Sequence, residues 1–225
     1  MTAATSAPNA SGTTLHALAA PDLVDALLGV REGDAIDVVR RSRPAAREHT
    51  QATLVALLDP VDDGAFAVAD RLAVATFVVA LHGGSPLHAV YEADLSPSTR
   101  ALVATLAAQA GRPGPYGVFR EPGLAGESVE GERWIAPTAE VGERLATALT
   151  HAALLVLRPR ESQPEALRAL LDAGWTREGV VTLSQLVAFL TYQVRIVAGL
   201  TVLAHSQQAR QTNQQQSENS PGVPA

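Results

Sequence analysis

The residues of this chain best suited to chemistry gather around one turn. His82, His88, Tyr91 and Glu92 flank Gly83-Gly84-Ser85-Pro86. His88 and Glu92 stand at i and i+4, so on a helix they share a face. A histidine beside a carboxylate can move protons as an acid–base pair, or the two can ligate a metal. The same residues also read as the ordinary polar start of an exposed helix. Two histidines with no further placed ligand make a poor metal site, so neither metal nor cofactor is expected. Ser85 and His88 are spaced Ser-x-x-His, but no Asp or oxyanion motif accompanies them, and a nucleophilic serine is not expected. His151 sits on another apolar segment. It is either an acid–base group facing the same cavity as Arg195 or a hydrogen-bonded core residue.

A third set lies further along. Residues 180–204, VVTLSQLVAFLTYQVRIVAGLTVLA, are almost wholly apolar, yet they include Ser184, Gln185, Tyr192, Gln193 and Arg195. A helix apolar on nearly every face is expected to be buried on nearly every face. An Arg inside it then needs a partner, because an unpaired buried charge is very costly. Tyr192, Gln193 and Arg195 therefore read in two ways. They form a pocket that binds a small organic acid through the guanidinium, or Arg195 pairs with a buried carboxylate and fixes helix register or a subunit interface. Ser184 and Arg195 fall on one helical stripe, Gln185 and Tyr192 on another.

Helices must position all of these residues. Of the 225 residues 47% are hydrophobic but only 4% aromatic, with Ala, Leu and Val dominant. That is the composition of packed helices, and the strict alternation of half-buried strands is rare. The expected fold is all-α. Asp22 and Asp34 are placed to cap short helices over 22–28 and 35–42, and Pro44 opens the next, to residue 58. Apolar helices are expected over 65–81, 86–93 and 97–111. Another runs from 137 to 157. A short helix over 161–173 precedes the last long one, which Thr176 caps.

Between them, 112–136 is rich in Gly and Pro. A loop of this length inside a domain is usually functional or linking. An apolar helix followed by a Pro-containing break recurs on either side of it, which suggests two related halves, 21–111 and 137–205. Residues 1–20 and the Gln-rich stretch 206–225 cannot bury apolar surface and are expected to be disordered.

Several classes fall away. The chain has no cysteine, which excludes disulfides, thiolate nucleophiles, Cys-ligated zinc and iron–sulfur clusters. Net charge is −6 and the basic residues are scattered, so nucleic acid is not an expected partner. No secretory signal opens the chain. The polar residues of 180–204 are costly at bilayer depth, so a cytoplasmic rather than a membrane protein is expected.

The final segment resembles the carboxymuconolactone decarboxylase (CMD) domain of the AhpD-like superfamily, in its peroxidase-related branch. The likeness rests on Leu170-Leu171-Asp172-Ala173-Gly174-Trp175 and Thr182-Leu183-Ser184-Gln185-Leu186-Val187-Ala188-Phe189. Arg158-Pro159-Arg160, Tyr192-Gln193 and Arg195 add to it. It extends over most of 20–205 and is most specific in the last 60 residues or so. The resemblance implies an oligomeric helical bundle, often of paired pseudo-symmetric units. Redox members of that family place Cys-x-x-Cys at a helix N-terminus with a Glu and a His as proton relay. The corresponding stretch here is 71–92, where Gly84 and Leu87 stand near the cysteine positions and Asp70 or Arg71 near the relay Glu. Without a thiolate the peroxidase cycle cannot run. Two functions remain. The first is a non-redox binding protein or subunit, a homo-oligomer or the partner of a cysteine-bearing relative. The second is a cofactor-free acid–base enzyme acting on a small organic acid through His88, Glu92 and His151, which the decarboxylase branch leaves open.

Overall fold

Nine consecutive residues, 71–79, are buried without interruption. The run lies in a helix, and a helix can bury so many successive residues only when it is wrapped on every side. The structure is a computed structural model and describes residues 20–218, with side-chain surroundings through residue 207. Among the described residues there are nine α-helices, two short 3-10 turns and no strand. In chain order the helices are α1 (Leu23–Leu28), α2 (Ala35–Arg41), α3 (Pro44–Leu58), α4 (Val68–His82) and α5 (Leu87–Glu92). They continue with α6 (Pro97–Ala110), α7 (Thr138–Leu157), α8 (Pro164–Asp172) and α9 (Arg177–Glu218). The central helix is α4, on which α3, α5, α6, α7 and α9 all pack. One hydrophobic core runs from Leu23 to Val197 through both of the expected halves.

The all-α expectation holds, and most helix ends follow their local signals. The Asp22 carboxylate accepts from Asp25 N at 2.9 Å, Ser96 Oγ from Thr99 N at 3.1 Å, and Thr176 Oγ1 from Gly179 N at 3.1 Å. Asp34 differs: its carboxylate turns back to accept from Arg31 N at 2.8 Å and makes no cap bond to α2. Helix α4 begins at Val68 rather than at 65, because Arg71 clasps the preceding loop. Its guanidinium donates to the carbonyls of Phe66 (2.7 Å), Leu57 (2.7 Å) and Asp63 (2.9 Å). The run of 137–157 is broken at Gly142, whose φ of 76° turns the chain out of helix geometry.

Helices α1, α2 and α3 are joined by charge. Arg40 pairs with Asp22 and Asp25, and Arg47 with Asp25 and Asp37.

The last helix departs most from expectation. It lies along the outside of the bundle, against α4, α7 and the short helices, rather than at the centre. Its most apolar stretch has a mean hydropathy of 1.8, long and apolar enough by composition to cross a membrane, yet only 39% of it is buried in the bundle. It also continues to Glu218, past residue 206 where a disordered tail is expected. Gln, Ala and Arg are good helix formers, and extending an existing helix needs no new nucleus. The expected disordered segment 1–20 lies, up to residue 19, outside the described residues.

Candidate functional site

The histidine–carboxylate pair forms as its spacing predicts. His88 Nδ1 lies 3.6 Å from Glu92 Oε2 on the partly exposed face of α5. Arg100 approaches the same carboxylate at 3.9 Å, and donates to the Glu92 carbonyl at 2.9 Å. Glu92 is thereby held between an imidazole and a guanidinium at the surface. Among the described residues no group of three or more His, Asp or Glu could hold a metal.

His151 is buried in α7 and its Nδ1 has no hydrogen-bond partner among the described residues. Burial pushes its pKa down, which keeps the ring neutral. Gln193 is also fully buried. Its Oε1 accepts from the Tyr91 hydroxyl, tying α9 to α5, and its Nε2 is unpartnered. Burial raises the Tyr91 pKa, so the phenol stays a donor.

Arg195 corrects the sequence reading. It is exposed and makes no ion pair among the described residues. Burial of α9 is one-sided, so a charge at position 195 reaches water without a carboxylate. With Tyr192 it lines an open groove of about 510 Å³ between α7 and α9, floored by Leu155, Val187 and Ile196. Tyr192 OH sits 3.1 Å from Thr50 Oγ1, and His82 Nε2 lies 3.2 Å from Thr191 Oγ1. Burial, and after it the charge of Arg195, lowers the pKa of His82.

Of the six candidates, Tyr192 and Arg195 share this groove and His88 pairs with Glu92. Gln193 and His151 are packed inside. The groove on α9 is lined by neither His88, Glu92 nor His151. Arg71 donates to three carbonyls that shape the preceding loop and lies over the Phe66 ring. Leu87 is fully buried core.

A different site emerges under the irregular segment 112–136. There a partly open cavity of about 610 Å³ is floored by Ala110, Ala153, Leu154 and Leu157, with Trp134, Val129 and Tyr116 around it. The segment is tethered throughout. Tyr116 N donates to Leu157 O at 2.8 Å, Val129 N to Gly117 O at 3.1 Å, and Ala136 N to Thr150 Oγ1 at 2.9 Å. Trp134 stacks on Phe77 of the central helix, with ring centroids 5.4 Å apart. Arg160 lies over the Phe119 ring at 4.2 Å.

Glu161 is the knot of this arrangement. It accepts from Arg158 Nε at 2.8 Å, from Arg133 Nε at 2.8 Å and from Val118 N at 3.3 Å. Arg158 holds its pKa down at about 2, with Arg133 adding to the effect. Arg158 also donates to Val129 O at 2.9 Å. A Cβ at Gly131 would come within 2.7 Å of Arg158 Nη1, so glycine is what lets the roof pass over the clamped guanidinium. Arg133 and Arg158 thus share one carboxylate and hold the roof. The floor offers Thr150 Oγ1, which is already bonded both to Ala136 N and to Ala146 O.

In the sequence 112–136 is visible as a long Gly- and Pro-rich loop, with none of its residues marked out by a motif. The missed signal is aromatic. Tyr116, Phe119 and Trp134 are three of only nine aromatics in the chain, counting two Trp, three Tyr and four Phe.

No protein-family model, no curated protein and no solved structure matches this chain.

Proposed function

We propose that this chain is a non-catalytic binding protein, and that the cavity beneath 112–136 receives a small, largely apolar organic molecule. The observation that carries this reading is the cavity itself: about 610 Å³, with an alanine and leucine floor. Ligand sites are typically concave, mostly apolar and about 300–1,000 Å³ in volume. The tethers through Glu161, Thr150 and Phe77 support a roof already formed before any ligand arrives.

The acid–base alternative has less behind it. It would need His88, Glu92 and His151 to converge with Arg195, since catalytic groups must reach one reacting centre. The pair on α5, the buried imidazole and the groove on α9 are separate features. Thiol chemistry is outside the reach of a chain with no cysteine. The resemblance to the CMD domain rests on the residues quoted for it. It adds to the proposal a cysteine-bearing relative as partner, on which any redox chemistry would reside.

A thermal-shift panel of small neutral and anionic organic compounds tests the binding reading. Compounds that raise the Tm of the native chain should lose their effect on Ala153→Phe, which fills the floor. A panel that shifts neither protein, or both equally, would remove the cavity as the site. Co-purification from the native host tests the partner: a cysteine-containing relative recovered in stoichiometric amount supports it, and the chain recovered alone removes it.

A further inference from the structure

The exposed side of α9 carries a pattern that the cavity reading does not use. Glu178, Val181, Gln185, Ala188, Tyr192 and Arg195 are all exposed. Val181 is 55% accessible and Tyr192 is 40% accessible, both high for large side chains on so apolar a helix. Their spacings are 3, 4, 3, 4 and 3 residues. Such a repeat forms a single seam on a helix, drifting slowly around it in the sense that a left-handed crossing of about 20° accommodates.

The same exposed stripe continues through Gly199 and Val202, and within its stretch from Glu178 to Arg195 the order of residue types has a direction-reversing symmetry. Read from either end about a centre between Gln185 and Ala188, the positions coincide. Glu178 then stands opposite Arg195, Val181 opposite Tyr192, and Gln185 opposite Ala188. A twofold axis at that centre brings two antiparallel copies of α9 together with each carboxylate facing a guanidinium and each valine facing a tyrosine ring. Arg195 makes no ion pair among the described residues, and Glu178, whose carboxyl is held below its ordinary pKa by its own backbone N–H and by Thr176 at the start of the helix, keeps its negative charge for this use. Ala188 lets the helices approach at the centre. The groove beside the seam, floored by Leu155 and Ile196, offers each copy a recess for a partner side chain.

We propose that the chain forms a twofold homodimer through α9, in antiparallel register centred between Gln185 and Ala188. The interface is isologous: the same seam serves both sides. Each charge pair occurs twice. The alternative occupant of an apolar helix face is a lipid bilayer. A stripe that carries Glu178, Gln185 and Arg195 along its length, before continuing through Gly199 and Val202, fits a protein partner of opposite charge order better than hydrocarbon.

Sedimentation equilibrium of the intact chain, up to about 1 mM, where even weak specific association registers, is the first arm of the test. The native chain should dimerise. Arg195→Glu and Glu178→Arg should each weaken the dimer by about tenfold or more, because two attractive pairs become repulsive. The double exchange Glu178→Arg with Arg195→Glu should return it close to the native affinity. Circular dichroism confirms that each variant keeps its fold.

A second arm needs no charge change. The chain has no cysteine of its own, so a single introduced thiol reports alone. Ala188→Cys, beside the axis, should cross-link to its counterpart under mild oxidation. Val202→Cys should not, since the two copies would lie about 45 Å apart at 1.5 Å per residue. A native chain that stays monomeric, a double exchange that fails to restore association, or cross-linking at Val202 rather than Ala188 would overturn the proposal. So would a monomer that sediments with vesicles of phosphatidylcholine and phosphatidylglycerol, which would assign the face to lipid.

Discussion

Glu161 shows how much of this molecule depends on single side chains. It is 7% exposed and gathers two guanidinium groups and a backbone N–H. Removing it leaves Arg158 close to unpaired in a site that is itself only 11% exposed. Breaking a buried pair from one side costs about 3–5 kcal/mol, and the exposure of Arg133 brings the expected cost of Glu161→Ala to roughly 2–3 kcal/mol. Urea denaturation measures it. Arg71 belongs to the same class. Arg71→Leu leaves three carbonyls without their donor, at an expected cost of about 2–4 kcal/mol. Arg71→Lys should recover only part of this, because an ammonium cannot span the fork.

Neither role was legible in the sequence. An Arg three residues into an apolar helix gives no hint that its contacts are carbonyls of residues 57, 63 and 66. Arg195 misled for the opposite reason: its apolar neighbours implied burial, but burial is decided by which face the bundle covers.

At the scale of elements, α4 and the 112–136 segment carry the account. The helix periods, the Ser96 and Thr176 caps and the proline starts were readable, because they depend on neighbours close in sequence. Which apolar helix takes the centre was not readable. Residues 65–81 and 180–204 are both apolar nearly throughout, and the choice between them is set by packing across the whole chain. The roof of the cavity was visible as a loop, while its order was hidden, since Glu161 and Phe77 are distant in sequence from the residues they hold. This coupling gives an element-scale prediction. Phe77→Ala should cost about 3–5 kcal/mol as a buried aromatic. It should also release Trp134, so that tryptophan fluorescence shifts to the red under conditions where the protein remains folded. An unshifted spectrum would mean that Trp134 is held by the loop alone.

The molecule as a whole should be acid-sensitive in two stages. His151 and His82 have pKa values lowered by burial. The unfolded chain therefore takes up protons first, and stability falls as pH drops below the ordinary histidine value of about 6.5. The Glu161 carboxylate is shifted from 4.5 to about 2, so its contribution is full above 4.5 and is lost as pH falls toward about 2. Denaturation midpoints between pH 8 and 3 should show both losses, and Glu161→Gln should reduce the second while leaving the share of Asp37, whose carboxyl the Gly33 N–H and Arg41 also hold down at about 2.

The central claim, that the roofed cavity is a binding site, is met most directly by titrating the uncharged naphthalene probe N-phenyl-1-naphthylamine into the folded chain. The account predicts saturable fluorescence enhancement with one probe per chain, weakened about tenfold or more in Ala153→Phe. Enhancement that never saturates, or equal affinity in the two proteins, would contradict it.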